Sequence, residues 1–318
     1  MNLVTLRDAI VGYWSMKIRG VTLCLDIVNA CSVACPTCGT GIFPKRKGIM
    51  GIDLFRQILD KLVREAGRIR YLQMYAWGDP CLHPRLHLFL EECRSRKIPA
   101  IISTALQRTN CDWEKVVEAR PKEIRFSFSG LGMMYYQFPA SPSVFLEKLA
   151  KVCALPRHKE TCWNLVFHVY RDNADQLSVA KELARFHKLN LITFPTIFIP
   201  NDRTVEKDYT EKDLETISHL VETPEENMAR IKRTTDFCMS QSKQICIDAK
   251  GIAYLCNVVY QDKFQVGPFL DTPLTDIRKT IMSHPFCLRC KAIKAHLYHD
   301  IYDFTKSDPL INVEKKYQ

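Results

Sequence analysis

Cys31-Ser-Val-Ala-Cys35-Pro-Thr-Cys38 sets three cysteines within eight residues, immediately after the apolar run Val21–Val28. A Cys-x3-Cys-x2-Cys spacing on a loop lets three thiolates converge on one face of a cubane iron–sulfur cluster and leaves a fourth iron without a protein ligand. Two other readings stand beside it: a zinc site, which favours paired Cys-x2-Cys elements and a closed fourth ligand, and a group of structural cysteines. The β-branched run ahead of the loop has the length of a strand, so it delivers the cysteines from a strand's C-terminal end. In α/β barrels and open parallel sheets that is the end where ligands bind.

Working outward, the chain alternates. Ile52–Ala66 carries Leu54, Ile58, Leu59, Leu62 and Val63 as a helical stripe. Strands are expected over Arg70–Ala76, Pro99–Thr104, Glu123–Phe128, Asn164–Tyr170 and Leu191–Ile199. Helices are expected over Arg85–Arg96, Trp113–Ala119, Phe145–Cys153 and Ala174–His187, so six strand–helix repeats run through residues 21–200. Right-handed crossovers make a parallel sheet the natural outcome. Met1–Gly20 reads as a short amphipathic lead-in, with Leu3, Leu6, Ile10 and Tyr13 at helical spacing. Residues 201–235 are charged and helix-prone, with Pro200 and Pro224 as breakers, and read as a linker helix.

The cysteine spacing is that of the radical S-adenosylmethionine (SAM) enzymes, and the chain resembles that superfamily over residues 1–200. The resemblance implies a partial (β/α)6 barrel, open laterally for substrate, with Cys31, Cys35 and Cys38 as ligands of a [4Fe–4S] cluster. In the family the methionyl amine and carboxylate of SAM chelate the open iron, and one electron cleaves a C–S bond to give a 5′-deoxyadenosyl radical. The second strand there ends in a Gly-Gly-Glu-Pro-like turn that receives the SAM amine. Here the turn is Trp77-Gly78-Asp79-Pro80, which departs at Trp77 and Asp79 but implies Gly78 and Asp79 as SAM contacts. A strand-to-helix turn with an N-cap Asp explains the same residues. Ser127 and Ser129, at the end of the Glu123–Phe128 strand, stand in the position of SAM-binding hydroxyls, although period-two alternation also accounts for them. Arg171 and Asn173 are matched to the polar residues at a later strand end, and are equally ordinary turn residues. In the basic loop 39–48, Ile42 or Phe43 either covers the adenine or packs. In the aromatic stretch Leu131–Phe138, Tyr136 either faces substrate or is buried. Cys81 and His83 read as capping or packing residues.

A second cysteine group lies between Cys238 and His299. A hairpin, Gln244–Asp248 and Ile252–Cys256 around Lys250-Gly251, is predicted by a Gly-containing turn between β-branched runs. The pattern of Cys238, Gly251-x4-Cys256 and Cys287-x2-Cys290 resembles the twitch domain, a shortened SPASM extension of some radical SAM enzymes. The resemblance implies a second [4Fe–4S] cluster on Cys238, Cys256, Cys287 and Cys290; a zinc ribbon is the alternative. Cys246 is left over, as buried packing, as the hydrogen donor to a substrate radical, or as a ligand in place of Cys238. The domains expected are 1–20, a barrel over 21–200, a linker over 201–235, an auxiliary β-hairpin/helix unit over 236–300 and a tail over 301–318.

Fourteen cysteines in 318 residues, with no basic region, apolar run and cleavage site at the N-terminus, read as a cytoplasmic chain that uses thiols for metal or catalysis. No apolar stretch reaches the length of a membrane span. The net charge of +10 is scattered without an aromatic-interleaved stripe, so a nucleic-acid partner is not expected. The resemblance implies an external electron donor such as flavodoxin or ferredoxin. It also implies abstraction of a C–H hydrogen from a small polyhydroxylated molecule, a sugar, aminocyclitol or aminoglycoside, ending in epimerisation or alcohol dehydrogenation. Modification of a ribosomally made peptide, by epimerisation or cross-linking, is the alternative, and a non-catalytic iron–sulfur protein the third.

Overall fold

A computed structural model describes residues 20–44, 46–132, 141–230 and 237–300. The lead-in 1–19, Tyr136 with most of its aromatic stretch, the end of the linker and the tail 301–318 lie outside the described residues.

Six parallel strands form the centre: β1 (Val21–Leu25), β2 (Ile69–Gln73), β3 (Ala100–Thr104), β4 (Glu123–Phe128), β5 (Cys162–Val169) and β6 (Asn190–Pro195). They pair in sequence order. Between them run the helices α1 (Ile52–Ala66), α2 (Leu86–Ser95), α3 (Trp113–Glu118), α4 (Pro142–Cys153) and α5 (Leu177–Phe186). In α1 the positions Phe55, Ile58, Leu59 and Leu62 are fully buried, the 3–4 spacing that one helix face presents to a sheet.

A parallel sheet buried on both faces reads as continuous apolar runs, but these strands alternate. One face carries Leu23, Leu25, Leu72, Ile102, Ile124, Phe126, Phe128, Leu165 and Phe167, all buried in the core shared with the helices. Phe128 stacks on Phe145 of α4, and Phe126 meets Trp113 of α3. The opposite, inner face carries Cys24, Gln73, Ser103, Arg125, Ser127, Asn164 and His168. Its polar residues bond to one another: Ser103 to Ser127 at 3.1 Å, Arg125 to Glu123 at 2.6 Å and Asn190 to Asn164 at 3.0 Å.

The second cysteine region is not a detached unit. Strand β7 (Gln244–Ile247) lies parallel to β1, with Leu23 opposite Ile245 and Cys24 opposite Cys246. Strands β8 (Ile252–Tyr254) and β9 (Gln265–Pro268) follow antiparallel, giving one nine-stranded sheet in the order β6-β5-β4-β3-β2-β1-β7-β8-β9. The turn of the hairpin is held by Asp248, whose carboxylate accepts from the Lys250 and Ile252 amides, and Gly251 takes φ +79°.

The single linker helix expected over 201–235 is three short helices, α6 (Asn201–Glu206), α7 (Glu211–Ser218) and α8 (Pro224–Arg230). Lys207 enters the left-handed region and ends α6, while Thr210 and Asp213 cap α7 reciprocally. Three helices close the described chain: α9 (Leu274–Ser283), α10 (Pro285–Ala292) and α11 (Ala295–Asp300). Among the described residues no helix is long and apolar enough to cross a membrane.

Candidate functional site

Beyond β1 the chain stays extended, Val28 bridging to Ile49, and then turns into the cysteine loop. The segment expected to be a plain loop after Cys38 folds as one helical turn, Gly39–Ile42, whose amides at Gly41 and Ile42 point back to the Cys38 carbonyl. A Cβ on Gly41 would stand 2.1 Å from the Cys35 carbonyl oxygen, so glycine lets the turn close on the cysteines. Cys31, Cys35 and Cys38 are near enough for their charges to interact. Burial raises all three thiols above the ordinary range, Cys35 to about 12, with neighbouring negative charge adding to it: Asp79, Cys35 and Cys38 at Cys31, Cys38 at Cys35, and Asp26 at Cys38. The Val33 amide approaches Cys31 Sγ at 3.5 Å, and Thr40 Oγ1 lies 3.3 Å from Cys38 Sγ.

The turn after β2 is docked on the start of that loop. A Cβ on Gly78 would lie 1.9 Å from the Val28 carbonyl oxygen, and the Asp79 amide donates to the Ala30 carbonyl at 2.9 Å. Asp26, which the sequence reading passed over, fastens the two: its carboxylate accepts from the Ala76 amide at 2.8 Å and the Trp77 amide at 3.0 Å. Burial raises its pKa to about 7 against these bonds. Asp79 has several donors, the Cys81 amide at 2.9 Å, Thr104 Oγ1 at 2.8 Å and the Ala105 amide at 3.3 Å, and burial raises it to about 6. It is therefore the N-cap of a short 3-10 turn, and its charge also acts to raise the Cys31 thiol. His83 is structural, with Nδ1 accepting from the Arg85 amide and Nε2 facing the Met50 carbonyl. Ile42 packs beside Tyr170 and Phe198, and Phe43 stacks over Tyr260.

The other SAM-contact expectations meet different surroundings. Ser127 lies on the inner face against Ser103. The Ser129 carbonyl accepts from Asn173. Asn173 is fully buried: its Oδ1 accepts from the Tyr170 amide, and Nδ2 donates to the Ser129 and His168 carbonyls. These bonds tie the ends of β4 and β5 together and take up most of an amide's capacity. Arg171 is exposed on the 3-10 turn that follows, with its backbone amide on the His219 carbonyl. The inner face instead supplies groups the sequence reading missed. The hydroxyl of Tyr75 is buried without a hydrogen-bond partner beside Arg125, whose guanidinium lies 5.6 Å from its ring. His168 stands edge-on to Phe194, and burial lowers it to about 4, so the imidazole is neutral at neutral pH. Alternation within β4 puts Arg125 on the face of Ser127, but the face taken by Tyr75 and His168 follows only from the pairing of the strands.

In the second group, Cys238, Cys256, Cys287 and Cys290 line one cavity together with Asn201. Asn201 Nδ2 lies 3.2 Å from Cys290 Sγ, while its Oδ1 is buried without a partner. The Cys256 thiol is raised by burial and by the neighbouring Cys287, Cys238 and Cys290. Four thiols around one cavity suit an iron–sulfur cluster, whose ligands sit at the corners of a cubane. Among the described residues no three His, Cys, Asp or Glu side chains converge as ligands of a single metal ion. Cys246 does not line the cavity; it is a free thiol buried in β7, opposite Cys24 of β1.

Arg46 joins the two regions. Its guanidinium lies 5.0 Å from the Trp77 ring, 4.3 Å from Tyr254 and 4.1 Å from Tyr260, and Asp262 stands 3.5 Å away. The residue that departs from the Gly-Gly pattern, Trp77, is thus one wall of an aromatic cage between the two cysteine groups.

No protein-family model and no curated protein sequence matches the chain. Solved structures do. SuiB of Streptococcus suis bound to S-adenosylmethionine aligns over 91% of this chain and 72% of its own, with a TM-score of 0.57 at 12% identity. SuiB bound to the precursor peptide SuiA aligns over 91% and 71%, with a TM-score of 0.55 at 14% identity. The protein anSMEcpe with bound S-adenosylmethionine aligns over 83% and 82%, with a TM-score of 0.53 at 16% identity. The chain has the fold of the radical SAM enzymes.

Proposed function

We propose that this chain is a radical SAM enzyme acting on a small polyhydroxylated molecule. The observation that carries the first half is the docking of the Gly78-Asp79 turn onto residues 28–30, directly ahead of Cys31. Cys31, Cys35 and Cys38 would hold one [4Fe–4S] cluster, and Cys238, Cys256, Cys287 and Cys290 a second. When bound, the first cluster with SAM supplies a 5′-deoxyadenosyl radical for hydrogen abstraction. The absent side chain of Gly78 lets the Val28 backbone pack against the turn, and Asp79 would offer a carboxylate to an ammonium by a charge-assisted bond.

The inner face supports the substrate class. Ser103, Ser127 and the Tyr75 hydroxyl suit a molecule rich in hydroxyls, and Arg125 and Glu123 close its floor with an ion pair. His168, neutral at pH 7, is suited to accept the proton that a carbinol loses on oxidation. In the epimerase form Cys246 returns a hydrogen to carbon, with Cys24 beside it. Peptide modification is the second reading, favoured by the SuiB complex with its precursor peptide. An electron carrier completes the partners in either case.

Anaerobic reconstitution is expected to load about eight irons per chain, two cubanes' worth. With SAM and dithionite the loaded protein is expected to release 5′-deoxyadenosine. A panel of aminocyclitols and peptides then separates the readings by product mass. No 5′-deoxyadenosine under any condition would sink the enzyme assignment, and product from peptides alone would transfer it to the second reading.

A further inference from the structure

Between β6 and α6 the chain passes from one cysteine group to the other. The Ile199 amide donates to the Thr37 carbonyl at 2.9 Å, next to Cys38, and the Asn201 amide donates to the Val258 carbonyl at 3.1 Å, just past Cys256. Pro200, between them, has its φ fixed by the ring, at −62°. Asn201 is 1% exposed, so its side chain leaves a backbone pinned on both sides and has little freedom to turn away.

That side chain faces the second group of thiols. Its Nδ2 lies 3.2 Å from Cys290 Sγ, in the cavity lined by Cys238, Cys256, Cys287 and Cys290. Its Oδ1 is buried without a partner. Buried amides ordinarily satisfy both ends, so the contact that holds this one in place is the contact with sulfur. A neutral thiol can donate to an amide oxygen or accept from an amide nitrogen, whereas a thiolate only accepts. Nδ2 turned toward Cys290 therefore suits the deprotonated sulfur of a cluster ligand.

A reduced cluster carries one more negative charge than the oxidised one, and that charge is shared with the ligand sulfurs. A hydrogen bond donated to such a sulfur stabilises the reduced form more and raises the reduction potential. In a buried site the low local dielectric strengthens the effect.

We propose that Asn201 is a positioning residue of the second cysteine site, its Nδ2 donating to the Cys290 thiolate and raising the potential of the cluster held there. This role rests on the reading of Cys238, Cys256, Cys287 and Cys290 as cluster ligands. It gives α6, which from sequence reads as part of a linker, a working side chain in the site to which it leads.

The test uses the anaerobically loaded full chain and three variants. Asn201→Leu removes the donor at similar size, Asn201→Asp puts an acceptor in the same shape, and Asn201→Gln keeps the donor. Each is read by iron content and by a dithionite titration followed by electron paramagnetic resonance. In Asn201→Leu and Asn201→Asp the potential of the second cluster is expected to fall by about tenfold in the one-electron equilibrium constant, or about 59 mV. The first cluster, identified as the signal that remains in Cys256→Ala, should keep its potential, and Asn201→Gln should lie closer to the unaltered protein. Unmoved potentials in Leu and Asp variants that hold about eight irons would overturn the proposal. If those two variants hold only about four irons, Asn201→Gln decides: about eight there upholds the donor, and about four there overturns it, because packing alone would then be what the site requires. About four irons in the unaltered protein would overturn the two-cluster reading itself, and the role of Asn201 with it.

Discussion

Gly78 shows how little tolerance the site has at a single residue. A methyl group there would meet the Val28 carbonyl oxygen at 1.9 Å, and that oxygen belongs to backbone bridged to Ile49, which cannot swing aside. Gly78→Ala is expected to destabilise the chain by about 3 kcal/mol, the upper end of overpacking costs. A lowered urea midpoint at constant m-value checks it. His168 gives the second residue-scale expectation. Its folded pKa, about 4, lies below the usual histidine value, so the unfolded chain binds more protons between the two. Stability is therefore full above about pH 6.5 and falls as pH drops toward 4, by about 2 kcal/mol at pH 5. His168→Gln should flatten that slope in unfolding of the metal-free chain at pH 7 and pH 5. An unchanged slope would mean the imidazole is solvated and no proton acceptor. Neither effect was legible beforehand. The Gly-Asp-Pro turn is visible as a string, but its clash partner, the Val28 carbonyl, lies fifty residues upstream, and a histidine in a strand reveals its face only once the register is known.

Among elements, those set by local pattern matched expectation closely. The β4 strand and the α1 helix have the boundaries that alternation and a 3–4 stripe predict. Elements governed by distant contacts did not. The turn Gly39–Ile42 is helical because Tyr260 and the Cys35 carbonyl pack against its glycines, and residues 201–230 break into three helices where Lys207 turns left-handed. Asn173, expected either as a SAM contact or as an ordinary turn residue, has an amide that joins the ends of β4 and β5. The Arg46 cage belongs to this scale, since it ties the cysteine loop, the turn after β2 and the hairpin β7–β8 through one cation. Cation–π contacts on partly desolvated rings contribute about 1–2 kcal/mol each, and they are not additive. Arg46→Met is expected to cost about 2 kcal/mol in unfolding. Trp77→Gly, which restores the familiar Gly-Gly pair, should destabilise the chain as well, because it removes a wall that contacts both Tyr254 and Tyr260.

At the scale of the whole molecule, the strands of the expected barrel (21–200) and of the expected auxiliary region (236–300) belong to a single continuous sheet. The cysteine spacing reported a second site but could not report that β7 runs parallel to β1, because strand pairing across more than two hundred residues leaves no local trace. The pairing has a mechanical consequence. Four residues of β1, Thr22 to Leu25, take β7 as a neighbour, and Asn29, two residues before Cys31, accepts from the Ala249 amide and donates to Asp248. Ending the chain at residue 236 would strip the β1 edge and leave the buried side chains Leu23 and Leu25 beside an open strand. An apolar unpaired edge is a site of aggregation. The fragment 1–236 is therefore expected to aggregate or lose cooperative unfolding, whereas a true two-domain chain would yield a soluble monomer with its own sharp transition. Size-exclusion chromatography and thermal unfolding of the metal-free fragment distinguish the two. The full chain with Cys256→Ala should still fold while its iron falls from about eight to about four per chain, so that loss of the second site's ligands is separable from loss of the strand that carries them.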